Sequence, residues 1–139
     1  MSDQLDPLAQ FSNALTARVD AARPIVASIS VAHRRHLTGI VWRPDIVVTS
    51  EQSLPKLDEF EIVTAGGSVI AVKMGGRDRA TNIAILRLPG PIVSLSFANS
   101  EARAGIVLIA IGADGTGGAT ARLGIVMLSV RNGTAGTEV

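Results

Sequence analysis

Thr38-Gly39-Ile40-Val41-Trp42, Ile46-Val47-Val48-Thr49-Ser50-Glu51-Gln52-Ser53-Leu54 and Gly76-Arg77-Asp78-Arg79-Ala80-Thr81-Asn82-Ile83-Ala84-Ile85-Leu86-Arg87-Leu88 are the segments on which the fold turns. Each holds a short run of β-branched and aliphatic residues bounded by Pro, Gly, Asp or Ser. That is the signature of short strands joined by tight turns. Arg43-Pro44-Asp45 reads as a turn, because Pro fixes φ and Asp bonds its own backbone.

Outward from this stretch the same pattern continues. Ile25 to Val31 reads as a strand, followed by the polar break Ala32-His33-Arg34-Arg35-His36 and a second strand to Trp42. Phe60 to Thr64 and Ser68 to Met74 flank Ala65-Gly66-Gly67, a hairpin with Gly where positive φ is needed. Gly75-Gly76-Arg77-Asp78 reads as a further turn, Ile83 to Leu88 as a sixth strand, and Pro89-Gly90-Pro91 as a linker. Beyond it Ala104 to Gly112 is a strand, Ala113 to Gly118 a Gly-rich loop, and Ala119 to Val130 a long strand; the polar tail from Arg131 to Val139 is expected to be frayed. At the other end Leu5, Leu8, Phe11, Leu15 and Val19 mark one face of a helix, with Asp6 as N-cap, Pro7 in the first turn and Pro24 as its stop. Such a helix either docks a partner or packs on its own domain, and we expect the second. The expected organisation is an N-terminal helix over residues 1–24, a six-stranded barrel over 25–90, and a partial second barrel with its tail over 91–139.

Composition narrows the function classes. Hydrophobic residues make up 47% of the 139, enough for a core, and aromatics only 3%, too few for base stacking along a single strand. Thirteen basic residues against twelve acidic ones give a net charge of +1, which argues against nucleic acid as a partner. There is no Cys, so disulfides and thiolate metal sites are excluded. His33 and His36 lie three apart without further clustered ligands, and a solvated hairpin tip is the expected reading; no cofactor or metal is implied. No apolar stretch is long enough for a membrane span. The start Met1-Ser2-Asp3-Gln4 lacks a basic region followed by an apolar run, so the sequence as written suggests the cytoplasm, or the periplasm if a leader was removed.

Taken together, the order and spacing of these strands resemble the trypsin-like serine proteases of the HtrA/Deg type. In that family a strand ends in Thr-Asn-x-His-Val, where His is the general base, and a later Asp-x-x-Thr-Asp-Leu-Ala-Val-Leu supplies the Asp that orients it. Here Val47 to Leu54 sits on the first motif and places Gln52 at the His position. Asp78 to Leu86 sits on the second and places Asn82 at the Asp position. Arg103 to Gly112, Gly118, Thr120 and Gly124-Ile125-Val126 are similar to the opening of the second barrel, so the resemblance covers roughly residues 20 to 133. No Gly-x-Ser-Gly-Gly nucleophile motif occurs in the chain.

The resemblance implies an all-β fold and a degenerate triad. A Gln amide is not a base at physiological pH, and Asn cannot hold a His as a carboxylate does. Ser50, Ser53 and Glu51 beside Gln52 read as turn residues, and Asp114-Gly115-Thr116-Gly117-Gly118 as a hairpin loop, neither a nucleophile loop nor a phosphate cradle. The leading expectation is a catalytically inactive protease homologue that binds or scaffolds an unidentified protein or peptide. Two alternatives stand beside it: the N-terminal part of a longer protease-like protein, and a small β-barrel binding domain unrelated to proteases. Open strand edges after Gly112 would favour self-association.

Overall fold

The computed structural model describes residues 6–92, 97–98 and 101–127. Helix α1 (Pro7–Ala22) starts where the sequence places it: the Asp6 carboxylate accepts from the Ala9 N–H at 2.8 Å, and Pro7 occupies the first turn. A single 3₁₀ turn, Arg23–Ile25, ends the helical segment.

Eight strands follow: β1 (Val26–Val31), β2 (Arg35–Arg43), β3 (Ile46–Ser50), β4 (Glu59–Val63), β5 (Val69–Asp78), β6 (Ile83–Arg87), β7 (Val107–Ala113) and β8 (Ala119–Ile125). The first six close into an antiparallel barrel in the order β1-β2-β3-β6-β5-β4, and β7 and β8 form a separate two-stranded sheet. The fold is thus mostly β, with an N-terminal helix, as the strand pattern implies.

The barrel interior is aliphatic. Ile29, Val41, Val47, Ile62, Val72 and Leu86 are fully buried, each contributing roughly 1.5–3 kcal/mol of burial. Phe60 is the one aromatic among these core residues. Gly39 is required by the packing: a Cβ there would stand 2.5 Å from Val47 Cγ1 and 2.9 Å from Ile29 Cδ1.

The structure corrects three local readings. Gly75 to Asp78 is not a turn, because β5 runs through to Asp78 and pairs with β6 to the end. A register shift between Met74 and Gly76 absorbs the extra residue, so the Gly pair marks a β-bulge. The break after β1 is shorter than expected: His33 and Arg34 form the tip at φ 63° and 58°, and β2 already begins at Arg35. His36 therefore belongs to a strand. The first strand after the linker starts at Val107, since Gly105 turns the chain at φ 88°. Leu5, the last residues of the long strand expected to Val130 and the tail lie outside the described residues.

The β7–β8 sheet is tied to the barrel at one end. The Ala113 N–H donates to Thr38 Oγ1 at 2.9 Å, and His36 Nε2 lies 3.1 Å from the Ala113 carbonyl. A carbonyl only accepts, so Nε2 carries the proton in this contact. Its loop is closed by Asp114, whose Oδ1 accepts from the Thr116 N–H (2.7 Å), the Thr116 hydroxyl (2.9 Å) and the Gly118 N–H (3.0 Å). Gly117, at φ 97°, lies so close to the β4–β5 hairpin that a Cβ would meet Gly67 N at 2.6 Å and Thr64 O at 2.7 Å.

The segment leaving β6 is held at the barrel surface. The Ile92 N–H donates to the Pro44 carbonyl at 2.7 Å, and Phe97 stacks on Trp42 with ring centroids 4.6 Å apart. On the far side, Leu15 and Val19 of α1 line one cavity with Ile109 of β7, while Leu8 and Phe11 of the expected face are exposed and no residue of the helix is fully buried.

Candidate functional site

The site is assembled where the end of β3 meets the start of β6. Ser50 pairs across the sheet with Ile83, and the chain beyond each strand turns toward the other. The β5–β6 turn is built by Asp78, whose two oxygens accept from the Ala80 N–H (3.0 Å) and the Thr81 hydroxyl (2.9 Å). This turn delivers Asn82 at φ 57°, a left-handed conformation that Asn tolerates better than most residues.

Asn82 reaches the loop after β3 through both backbone and side chain. Its carbonyl accepts from the Glu51 N–H at 3.2 Å. Its Oδ1 accepts from the Gln52 N–H at 2.9 Å and from the Ser50 hydroxyl at 3.0 Å. A backbone N–H can only donate, so the amide orientation of Asn82 is fixed and Nδ2 points elsewhere. The two residues singled out in the sequence are thus brought together, through the Gln52 backbone. The Gln52 side chain is exposed.

A second clamp holds the same loop, and sequence reasoning missed it. Glu51 is buried, and its carboxylate lies 3.5 Å from the Arg77 guanidinium. Arg77 also donates to the Leu54 carbonyl at 3.4 Å and to the Pro55 carbonyl. A residue at the end of β5 therefore spans the loop 51–55 from one side while Asn82 holds it from the other. Arg77 was hidden by reading residues 75–78 as a turn. As part of a strand it points at a fixed neighbour.

Beside this loop lies an open depression of about 380 Å³ lined by Glu51, Gln52, Leu54, Lys56, Arg77 and Arg79. Ser53 is exposed, and Ser50 is engaged with Asn82. Thr116 sits in the β7–β8 loop, bonded to Asp114. His36 is in β2 against Ala113 while His33 is at the hairpin tip. Among the described residues no group of three or more His, Asp or Glu converges to hold a metal ion, and no helix is long and apolar enough to cross a membrane.

At Asp114 the Thr116 N–H, then the Thr116 hydroxyl, hold the carboxyl below its ordinary value of 3.8; desolvation opposes them, and the Gly118 N–H and the charge of His36 add lesser lowering effects.

Comparison with known proteins places these features in a family. The profile of the trypsin-like peptidase domain matches residues 37–138, most of the chain. No curated protein matches the chain. The chain belongs to the trypsin-like peptidase domain family, and the alternative of a barrel unrelated to peptidases falls with that match.

Proposed function

We propose that this member of the trypsin-like peptidase family is a non-catalytic module of HtrA/Deg type that binds protein or peptide. The observation that carries the reading is the link between Asn82 and the Gln52 N–H at 2.9 Å. It joins the two positions at which the resemblance expects Asp and His, yet neither side chain can move a proton near neutral pH. Acyl transfer needs a base for the nucleophile and a carboxylate for the base. Gln52 supplies no base, Asn82 supplies an amide, and the chain contains no Gly-x-Ser-Gly-Gly motif. The loop that would present the base is nevertheless held by Asn82 and Arg77, so it is fixed in place without that chemistry. The test is incubation of the purified chain with casein and with a peptide library. No cleavage is expected; hydrolysis blocked by serine-directed inhibitors would overturn the proposal.

A second reading concerns assembly. β7 and β8 pair with each other and, among the described residues, with no third strand, while Leu108, Leu123 and Ile125 are substantially exposed. Such an edge is a template for another strand, and we propose a second copy of the chain as its partner. Sedimentation over a range of concentrations tests this, and a constant monomeric mass would refute it.

A further inference from the structure

We infer that the depression beside Gln52 is a carboxylate-binding site for an acidic peptide, with Lys56 and Arg79 as its cations. The inference rests on the reading of this chain as a binding module and gives that module a ligand class.

The charges around the depression do not cancel. Three cationic side chains and one carboxylate line it: Lys56, Arg77, Arg79 and Glu51. Glu51 and Arg77 neutralise each other at 3.5 Å, and Arg77 spends further donors on the Leu54 and Pro55 carbonyls. That pair is structural. Lys56 and Arg79 are exposed and make no ion pair among the described residues. The nearest acid in sequence to Arg79 is Asp78, and both of its oxygens are already turned to Ala80 and Thr81. Two cations are thus left facing one concavity. The exposed Gln52 side chain adds an amide that can donate to an oxygen anion, and buried Leu54 gives the wall an apolar patch.

Size and composition select the ligand. A concavity of about 380 Å³ is of a size to seat one or two side chains. The net charge of +1 and the scarcity of aromatics argue against a nucleic acid as the ligand. Guanidinium and ammonium groups around a small concavity suit a carboxylate, carried by an Asp or Glu side chain or by a chain terminus. Arg79 offers the planar fork and Lys56 a point charge.

Fluorescence anisotropy with two labelled peptide pools tests the inference. One pool carries Asp and Glu, the other Asn and Gln at the same positions, and each is made with a free and an amidated C-terminus. The acidic pool is expected to bind roughly tenfold more tightly, with a preference that shrinks as salt is raised. Lys56→Gln combined with Arg79→Gln should erase that preference. Both residues are exposed and form no ion pair among the described residues, so the variant's circular dichroism should match the parent. A preference that follows the free terminus assigns the carboxylate to a chain end; one that follows Asp and Glu assigns it to side chains. Equal binding of acidic and amide pools, no binding of any pool, or a preference retained by the double variant would each overturn the inference. Mass spectrometry of the same mixtures reports cleavage separately. Cleaved peptides would remove the non-catalytic reading, whereas uncleaved peptides bound without charge preference would remove only this inference.

Discussion

At Asn82 two demands meet in one residue: a backbone at φ 57° and a side-chain oxygen for Gln52 and Ser50. Substitutions separate them. Asn82→Asp keeps the acceptor and tolerates the left-handed backbone, so its stability should stay within about 0.5 kcal/mol of the parent. Asn82→Gly keeps only the backbone freedom and should lose about 1–2 kcal/mol with the Gln52 N–H unpaired. Asn82→Ala loses both and should cost about 2–4 kcal/mol. Urea denaturation midpoints rank the series, and an Ala variant as stable as the parent would show that the clamp carries no weight. The carboxylate introduced by Asn82→Asp is not expected to confer hydrolysis, because Gln52 remains no base.

Docking of β7–β8 on the barrel depends on what is missing at Gly117, where a Cβ would strike backbone atoms that cannot move aside. Gly117→Ala should therefore loosen the loop from the β4–β5 hairpin and leave the barrel closed. In hydrogen exchange, the amides of Thr116 and Gly118 should lose protection while those of Ile62 and Val72 keep theirs; equal loss at both sites would contradict separate docking. The same loop responds to acid. The Asp114 carboxyl has a folded value below the ordinary 3.8, so its stabilising effect is complete above 3.8 and is lost as pH falls through the lower folded value. Amide shifts of Thr116 and Gly118 followed from about pH 5 to about pH 2 should reveal that transition, and Asp114→Asn should remove it. Much at this scale was legible in the sequence. The helix followed from Asp6, Pro7 and Pro24, and the barrel strands from β-branched runs between turn residues. What stayed hidden was decided by partners distant in sequence. Gly75 and Gly76 look the same in a turn and in a bulge, and only pairing with β6 distinguishes them. His36 looked like a loop residue because its strand role depends on its pairing with Ser30 of β1. Gln52 and Asn82 were found by motif spacing, whereas Arg77 and the Lys56–Arg79 pair had no motif to mark them.

For the whole molecule, the asymmetry between a closed barrel and a two-stranded sheet matters most. Closure leaves the first six strands without edges, while β7 and β8 have, among the described residues, no strand beyond each other. If copies pair there, Ile125→Lys should raise the dimer dissociation constant at least roughly tenfold by placing a charge on an exposed apolar position of β8. Sedimentation velocity of parent and variant decides it, and identical behaviour of the two would rule out this edge.

The stack of Trp42 on Phe97 has an optical corollary. The chain contains one tryptophan, and it lies at the barrel's surface, against the segment that follows β6. Its emission is therefore a gauge of whether that segment is seated, while far-ultraviolet dichroism reports the strands. Read side by side during denaturation, the two signals time the release of the connector against the opening of the barrel, with no label added to the protein.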